Sequence, residues 1–294
     1  MKINSDVELF DPKVDFCFKR LFGFKEVHFI DFANKVLALN EENKIDSVEF
    51  LNLEVQKDHE KDKESKLDVL AKLKDGSRMS IEMQLGFDSQ YEKRALYYWS
   101  KLYEDPLQIR MNYKDLKKTV AIHILNFNLF QDKDTFHSKL IVSDENTHQR
   151  RFKDFEIHVI ELKKLLKTCY DKTEPLEKWA LFLKNPSKEN LEELAMQDTA
   201  IAQALEDLQI LSHDPKNRVL YEARKKYWMD YHSQMDDAKE IGKEIGKEIG
   251  KEIGKEIGER ENQRKMAKEM RVNGEPLEKI IKYTKLSQEE IEKA

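Results

Sequence analysis

The sequence predicts an α/β protein, a mixed sheet with helices packed on it, followed by a helical C-terminal region. Three observations carry this reading. Alternating apolar and polar residues of strand type recur between residues 45 and 162, helical periodicity flanks them, and beyond about residue 165 only helical signals remain. Charged residues make up 37% of the 294, with only nine Gly and six Pro, which is the composition of well-solvated helices and few loops. A net charge of −5 excludes a broadly basic coat for nucleic acid. It leaves room for a local basic groove, because the placement of the 52 Lys and Arg matters more than their sum.

Taken in order, residues 11–39 read as two helices broken near Gly23, the second with Phe29, Phe32, Ala33, Val36 and Leu37 at helical spacing. Asp15 and Lys19 are four apart on the first helix and share a face, the spacing of an ordinary surface ion pair. Residues 45–55 read as a strand with Glu54 near its end, and residues 58–65 as a charged, solvated connection.

Residues 66–84 then form a β-hairpin. Leu67, Val69, Ala71 and Leu73 alternate on one arm and Met79, Ile81 and Met83 on the other, around Lys74-Asp75-Gly76-Ser77. Loop length decides the chemistry here. A two-residue Asp75-Gly76 loop pairs Asp68 with Met83 and puts Asp68 and Glu82 on opposite faces. A three-residue loop with Gly76 in the left-handed region places Asp68 opposite Glu82 and Lys66 opposite Gln84. The three-residue form is predicted.

Residues 91–103 are strongly helical and end at Asp105-Pro106. Residues 120–130 are the most apolar strand candidate, reached by a connection long enough for a parallel crossover, and residues 155–162 give a further strand. The predicted order is α-β-β-β-α-β-β. The expected divisions are residues 1–165 for this domain, 166–235 for a helical subdomain, 236–263 for a repeat helix and 264–294 for a small helical tail.

In the repeat, Lys-Glu-Ile-Gly recurs from Lys239 to Gly258. A four-residue period on a 3.6-residue helix advances about 40° per unit, so the Ile and Gly stripe winds around the axis. Each mid-helix Gly costs about 1 kcal/mol against Ala, so a solvated or self-associating helix is expected, its length setting how the tail is presented. In the tail, Asn273-Gly274 is a helix stop, Pro276 opens the next helix, and Ser287 with Glu290 forms a capping box. A helix-turn-helix is compatible with these short helices, but no recognition face of Arg, Asn and Gln is evident.

Cys17 and Cys169 are too few for a disulfide framework and are expected to be reduced. No run has the length of a signal peptide or of a membrane span, and a soluble, cytoplasmic protein is expected.

Two carboxylates converging on one face of a sheet suit a hard divalent ion. As bare spacing the pattern is weak, because wet strand faces carry acids for solubility. The segments DFCFKRLFG (15–23), SKLDVLAKLKDG (65–76), IEMQ (81–84) and RALYYWSKLY (94–103), in this order, resemble the recombination-promoting nuclease / putative transposase family of the PD-(D/E)XK nuclease superfamily. IELKK (160–164) and the repeat are similar to that family as well.

The resemblance implies a restriction-endonuclease-like αβββαβ core, Mg²⁺-dependent cleavage of DNA with Mn²⁺ as a substitute, and a role in recombination or mobile elements. It implies Asp68 and Glu82 as metal ligands, with the backbone carbonyl of Met83 as a third. Gln84 stands where the wider superfamily has Lys, and Lys66 is a candidate for the missing charge. Arg94 and Tyr91 are candidate DNA contacts and Asp15 an accessory acid. The competing expectation is a degenerate nuclease fold that binds DNA or oligomerises through its helical C-terminal region.

Overall fold

The computed structural model describes residues 8–51, 68–106, 112–165, 174–184 and 187–293. Two helices, α1 (Asp15–Phe22) and α2 (Glu26–Leu37), precede three strands, β1 (Val48–Phe50), β2 (Val69–Leu73) and β3 (Arg78–Gln84). Helix α3 (Tyr91–Glu104) leads to β4 (Thr119–Leu125), β5 (His137–Leu140) and β6 (Phe155–Glu161). Helices α4 (Pro175–Lys184), α5 (Lys188–Gln197), α6 (Thr199–His213), α7 (Pro215–Val272), α8 (Leu277–Thr284) and α9 (Gln288–Glu292) complete the chain.

The predicted α/β class and mixed sheet are present. The strands lie in the order β1-β2-β3-β4-β6-β5, with β3, β4 and β6 parallel and the remaining neighbours antiparallel. All seven residues of β4 are buried, as a central parallel strand covered on both faces requires. Pleat alternation assigns the faces. Val69, Ala71, Met79, Ile81, Val120, Ile122, Ile124 and Ile160 pack in one core with α1 and α2, while Ala121, Leu125, Ile157 and Val159 pack with Tyr91 and Ala95 of α3.

Several boundaries differ from the sequence reading, each for a physical reason. The strand expected over residues 120–130 stops at Leu125, because the N–H groups of Leu129 and Phe130 turn to the buried carboxylate of Glu161. Lys164 pairs with that carboxylate at 2.8 Å, so the IELKK segment anchors a loop. Strand β5 was not anticipated, since four residues with polar His137, Ser138 and Lys139 carry little strand signal. Of the strand expected over residues 45–55, Val48–Phe50 form the regular strand, Leu51 N–H donates to Leu70 O at 2.9 Å just beyond it, and Glu54 lies outside the described residues.

At the start of β6, Glu156 is 1% exposed and receives hydrogen bonds or ion pairs from Arg150 (2.8 Å), Lys118 (2.9 Å), His158 (3.0 Å) and Lys139 (3.1 Å). Burial pushes its carboxyl upward, but those four partners outweigh burial and hold it far below the usual range. His158 in turn lies 2.9 Å from His137 of β5.

Residues expected as a separate helical subdomain share the core of the sheet. Trp179 of α4 packs 5.3 Å from the ring of Phe22 and donates its indole N–H to Asp31 at 2.6 Å. At the chain's two ends of this unit, Phe10 stacks on Tyr221 at 4.1 Å and donates its N–H to Ser212. The compact units are accordingly Met1–Tyr227 and Trp228–Ala294.

Helix α7 runs unbroken for 58 residues through the repeat, so the segments expected as distinct helices are one element. Pro215 suits its first turn, and Asp214 accepts the N–H of Lys216. In the second unit, Ala267, Ile280, Leu286 and Ile291 form a small core, Gly274 ends α7 with φ +76°, and the Ser287/Glu290 capping box is present. Among the described residues no helix is long and apolar enough to cross a membrane.

Candidate active site

The site begins at the hairpin turn. Gly76 has φ +84°, its N–H donates to Leu73 O at 3.0 Å, and Leu73 N–H donates to Ser77 O at 2.8 Å, leaving Lys74-Asp75-Gly76 as a three-residue loop. Asp75 fixes the turn by accepting from both the N–H and the hydroxyl of Ser77. The predicted loop is therefore the one present. Val69 pairs with Ile81 and Ala71 with Met79, so the next position down the ladder brings Asp68 to Glu82. Lys66 lies outside the described residues.

Asp68 sits just before β2, where its Oδ2 accepts the backbone N–H of Met83 at 2.8 Å. In an extended strand the carbonyl of a residue leaves on the same side as its N–H, so Met83 O also faces the Asp68 edge. The Asp68 side chain is 17% exposed and Glu82 13% exposed. Burial pushes the Asp68 carboxyl above its ordinary range, against the Met83 N–H and Lys19. Burial, reinforced by Asp68, pushes Glu82 up to about 8, against the opposing pull of Arg94. Glu82 Oε1 is buried with no hydrogen-bond partner.

The other candidates fall around this pair. Gln84 accepts from Arg94 at 2.7 Å and donates to Gly86 O at 3.1 Å, so both ends of its amide are engaged. Arg94 also pairs with Asp88 at 2.9 Å and lies over the Tyr91 ring. Tyr91 is buried, its hydroxyl lacks a hydrogen-bond partner, and burial with the nearby Glu82 raises its pKa well above 10. As the first residue of α3 it turns inward to the core on that face of the sheet, so its ring is not offered at the surface.

Asp15 joins Lys19 at 2.6 Å, and Lys19 reaches on to Asp68 at 3.4 Å. The pair that spacing alone presents as a surface ion pair thus bridges α1 to the hairpin. Sequence reasoning paired Lys19 with Asp15 without assigning it to this site, and did not name His123. For Lys19 the i,i+4 pairing with Asp15 was the available signal. His123 is adjacent to Glu82 in the parallel β3–β4 register, its Nδ1 3.8 Å from Glu82 Oε2, and burial with help from Arg94 lowers its pKa to about 4. It is neutral, so no ion pair joins it to Glu82.

Two carboxyl groups and a backbone carbonyl make an all-oxygen donor set that fits a hard divalent cation, and the buried Glu82 Oε1, engaged by no hydrogen bond, is consistent with that use. No group of three or more His, Cys, Asp or Glu side chains poised around one metal position occurs among the described residues.

The sequence model of a family described as PD-(D/E)XK nuclease family transposase matches residues 12–238. The chain belongs to this family. The match spans the sheet, the acidic hairpin, α3 and the helices that complete the core of the first unit, and it ends just before Lys239, so neither the repeat nor the tail is covered by it. No curated protein and no solved structure matches the chain.

Proposed function

We propose that the protein is a divalent-metal-dependent nuclease that hydrolyses DNA phosphodiester bonds in recombination or the movement of mobile elements. The observation that carries this reading is the buried Glu82 carboxylate, unpaired on one oxygen and set beside Asp68. Asp68, Glu82 and the carbonyl of Met83 would hold Mg²⁺ or Mn²⁺. Such an ion supplies a water of lowered pKa and neutralises charge on the phosphodiester.

The chain's own groups do the rest. Met83 N–H orients Asp68, and Lys19 keeps Asp15 and Asp68 from repelling one another. Gln84 brings no charge of its own, but its amide oxygen holds Arg94 close enough to act on Glu82. Arg94 is thereby the cation placed to receive a phosphate oxygen, in the role that Lys has across the wider superfamily. Tyr91 stands edge-on against the ring of His123.

A second reading is a fold that has lost cleavage and acts by binding DNA or by self-association. The repeat favours it, since Ile241, Ile245, Ile249, Ile253 and Ile257 are each more than half exposed. A plasmid-nicking assay with Mg²⁺ or Mn²⁺ separates the two. The parent should nick, and Asp68→Ala and Glu82→Ala should lose all but a trace of activity. Equal nicking by all three would move the site elsewhere, and an inactive parent that still retards DNA would establish the second reading.

A further inference from the structure

His123 is 1% exposed, and neither of its ring nitrogens has a hydrogen-bond partner. A neutral imidazole carries one donor and one acceptor, and leaving such a group buried and unpaired is destabilising. A residue that served packing alone would avoid that cost by being apolar. The flanking positions of β4, Ile122 and Ile124, are apolar in this way.

The surroundings of the ring show what it is placed to meet. The Tyr91 ring stands edge-on at 5.7 Å and fixes the imidazole plane. The β3–β4 register sets His123 beside Glu82, with Nδ1 3.8 Å from Oε2, about 1 Å beyond a hydrogen bond. Glu82 Oε1 also lacks a partner. An unpaired ring nitrogen on β4 and a carboxyl group with an unpaired oxygen on the neighbouring strand are therefore separated by less than one side-chain adjustment.

We propose that His123 is a positioning residue for Glu82, its Nδ1–H donating to the carboxylate and fixing which oxygen faces a bound divalent cation. This rests on the metal-site reading of Asp68 and Glu82. Carboxylates that hold metals are themselves held by hydrogen bonds, and removing such an outer partner commonly weakens metal binding 10- to 100-fold. The role needs no proton transfer at His123, only a donor at a fixed place.

The test is Mn²⁺ binding by the full chain without DNA, followed by electron paramagnetic resonance, with melting temperature measured alongside. His123→Leu and His123→Asn are matched in size, but only Asn keeps an N–H near the place of Nδ1. The expected result is binding weakened about tenfold or more in His123→Leu, near-parental binding in His123→Asn, and a His123→Leu melting temperature no lower than the parent's. Parental affinity in His123→Leu, or equal weakening of both variants with lowered melting, would overturn the proposal.

Should His123→Leu not fold, nitrogen-15 spectra of the parent's histidine rings on adding diamagnetic Mg²⁺ give the same answer. His123 Nδ1 should move to the shift of a hydrogen-bonded donor, and an unchanged ring would refute the role. A parent that binds no Mn²⁺, or an Asp68→Ala protein that binds it as the parent does, would fail the metal-site reading itself. If those controls behave as expected and His123→Leu binds normally, only the positioning role falls.

Discussion

Glu156 and His137 tie the stability of the fold to pH from opposite sides of one cluster. Burial, aided by His158 and Lys139, lowers the His137 pKa to about 4, whereas in the unfolded chain it titrates near 6.5. Between those values the unfolded state binds more protons than the folded one, so stability falls as pH falls through that window. Glu156, held below the usual carboxylate range, adds a further loss as pH drops below about 4.5. The raised carboxyls of Asp68 and Glu82 act in the opposite sense, because they hold protons in the folded state that the unfolded chain has lost. The test is therefore the difference between two proteins: between pH 7 and pH 4 the parent's melting temperature should lose more, or gain less, than that of His137→Gln, while the loss at lower pH is common to both. Superimposable profiles for the two proteins would contradict this assignment.

The hairpin of β2 and β3 makes its turn a determinant of chemistry. Gly76 holds φ +84°, where a Cβ is strained by about 1–2 kcal/mol, and the nearest atom such a Cβ would meet is the flexible Lys117 side chain at 3.4 Å. Gly76→Ala should lower the free energy of unfolding, read from a denaturant titration, by about that amount while nicking persists, because strain alone does not shift the register. Deleting Asp75 should do the reverse, leaving a folded chain whose Asp68 faces away from Glu82 and which no longer nicks DNA. A deletion protein as active as the parent would detach Asp68 from the site.

This element was legible in the sequence because alternation, turn residues and loop parity are local. The edge strand β5 was not, being four residues long and polar. Lys19 and His123 were not legible as site residues, because α1 and β4 reach the hairpin through tertiary pairing that no spacing records. Arg94 was legible as a cation near the site, but its hold on Gln84 arises only once α3 folds over β3.

Among the described residues, each unit has a core of its own, and the two differ greatly in size. The first joins α1 and α2 to the sheet and to α4, α5 and α6, and the second rests on Ala267, Ile280, Leu286 and Ile291. Amides of α8 and α9 should exchange with solvent well before those of β4 or α6, a difference that native-state hydrogen exchange reads directly. Equal protection in both units would show that they unfold together. The contiguous core was less legible than the helices that form it, since helical periodicity says which face is apolar and not what covers it.

The stacking of Phe10 on Tyr221, with the N–H of Asp11 donating to the Tyr221 hydroxyl, bears on how the protein is made. The acidic hairpin leaves the ribosome early, but the helices that bury α1 and the sheet are synthesised later, and the start of the chain finds its partner only when Tyr221 has emerged. A nascent chain thus carries both carboxylates, on a hairpin whose turn is local, long before it has the core that buries them. Synthesis itself would withhold the activity proposed for them until the first unit is complete.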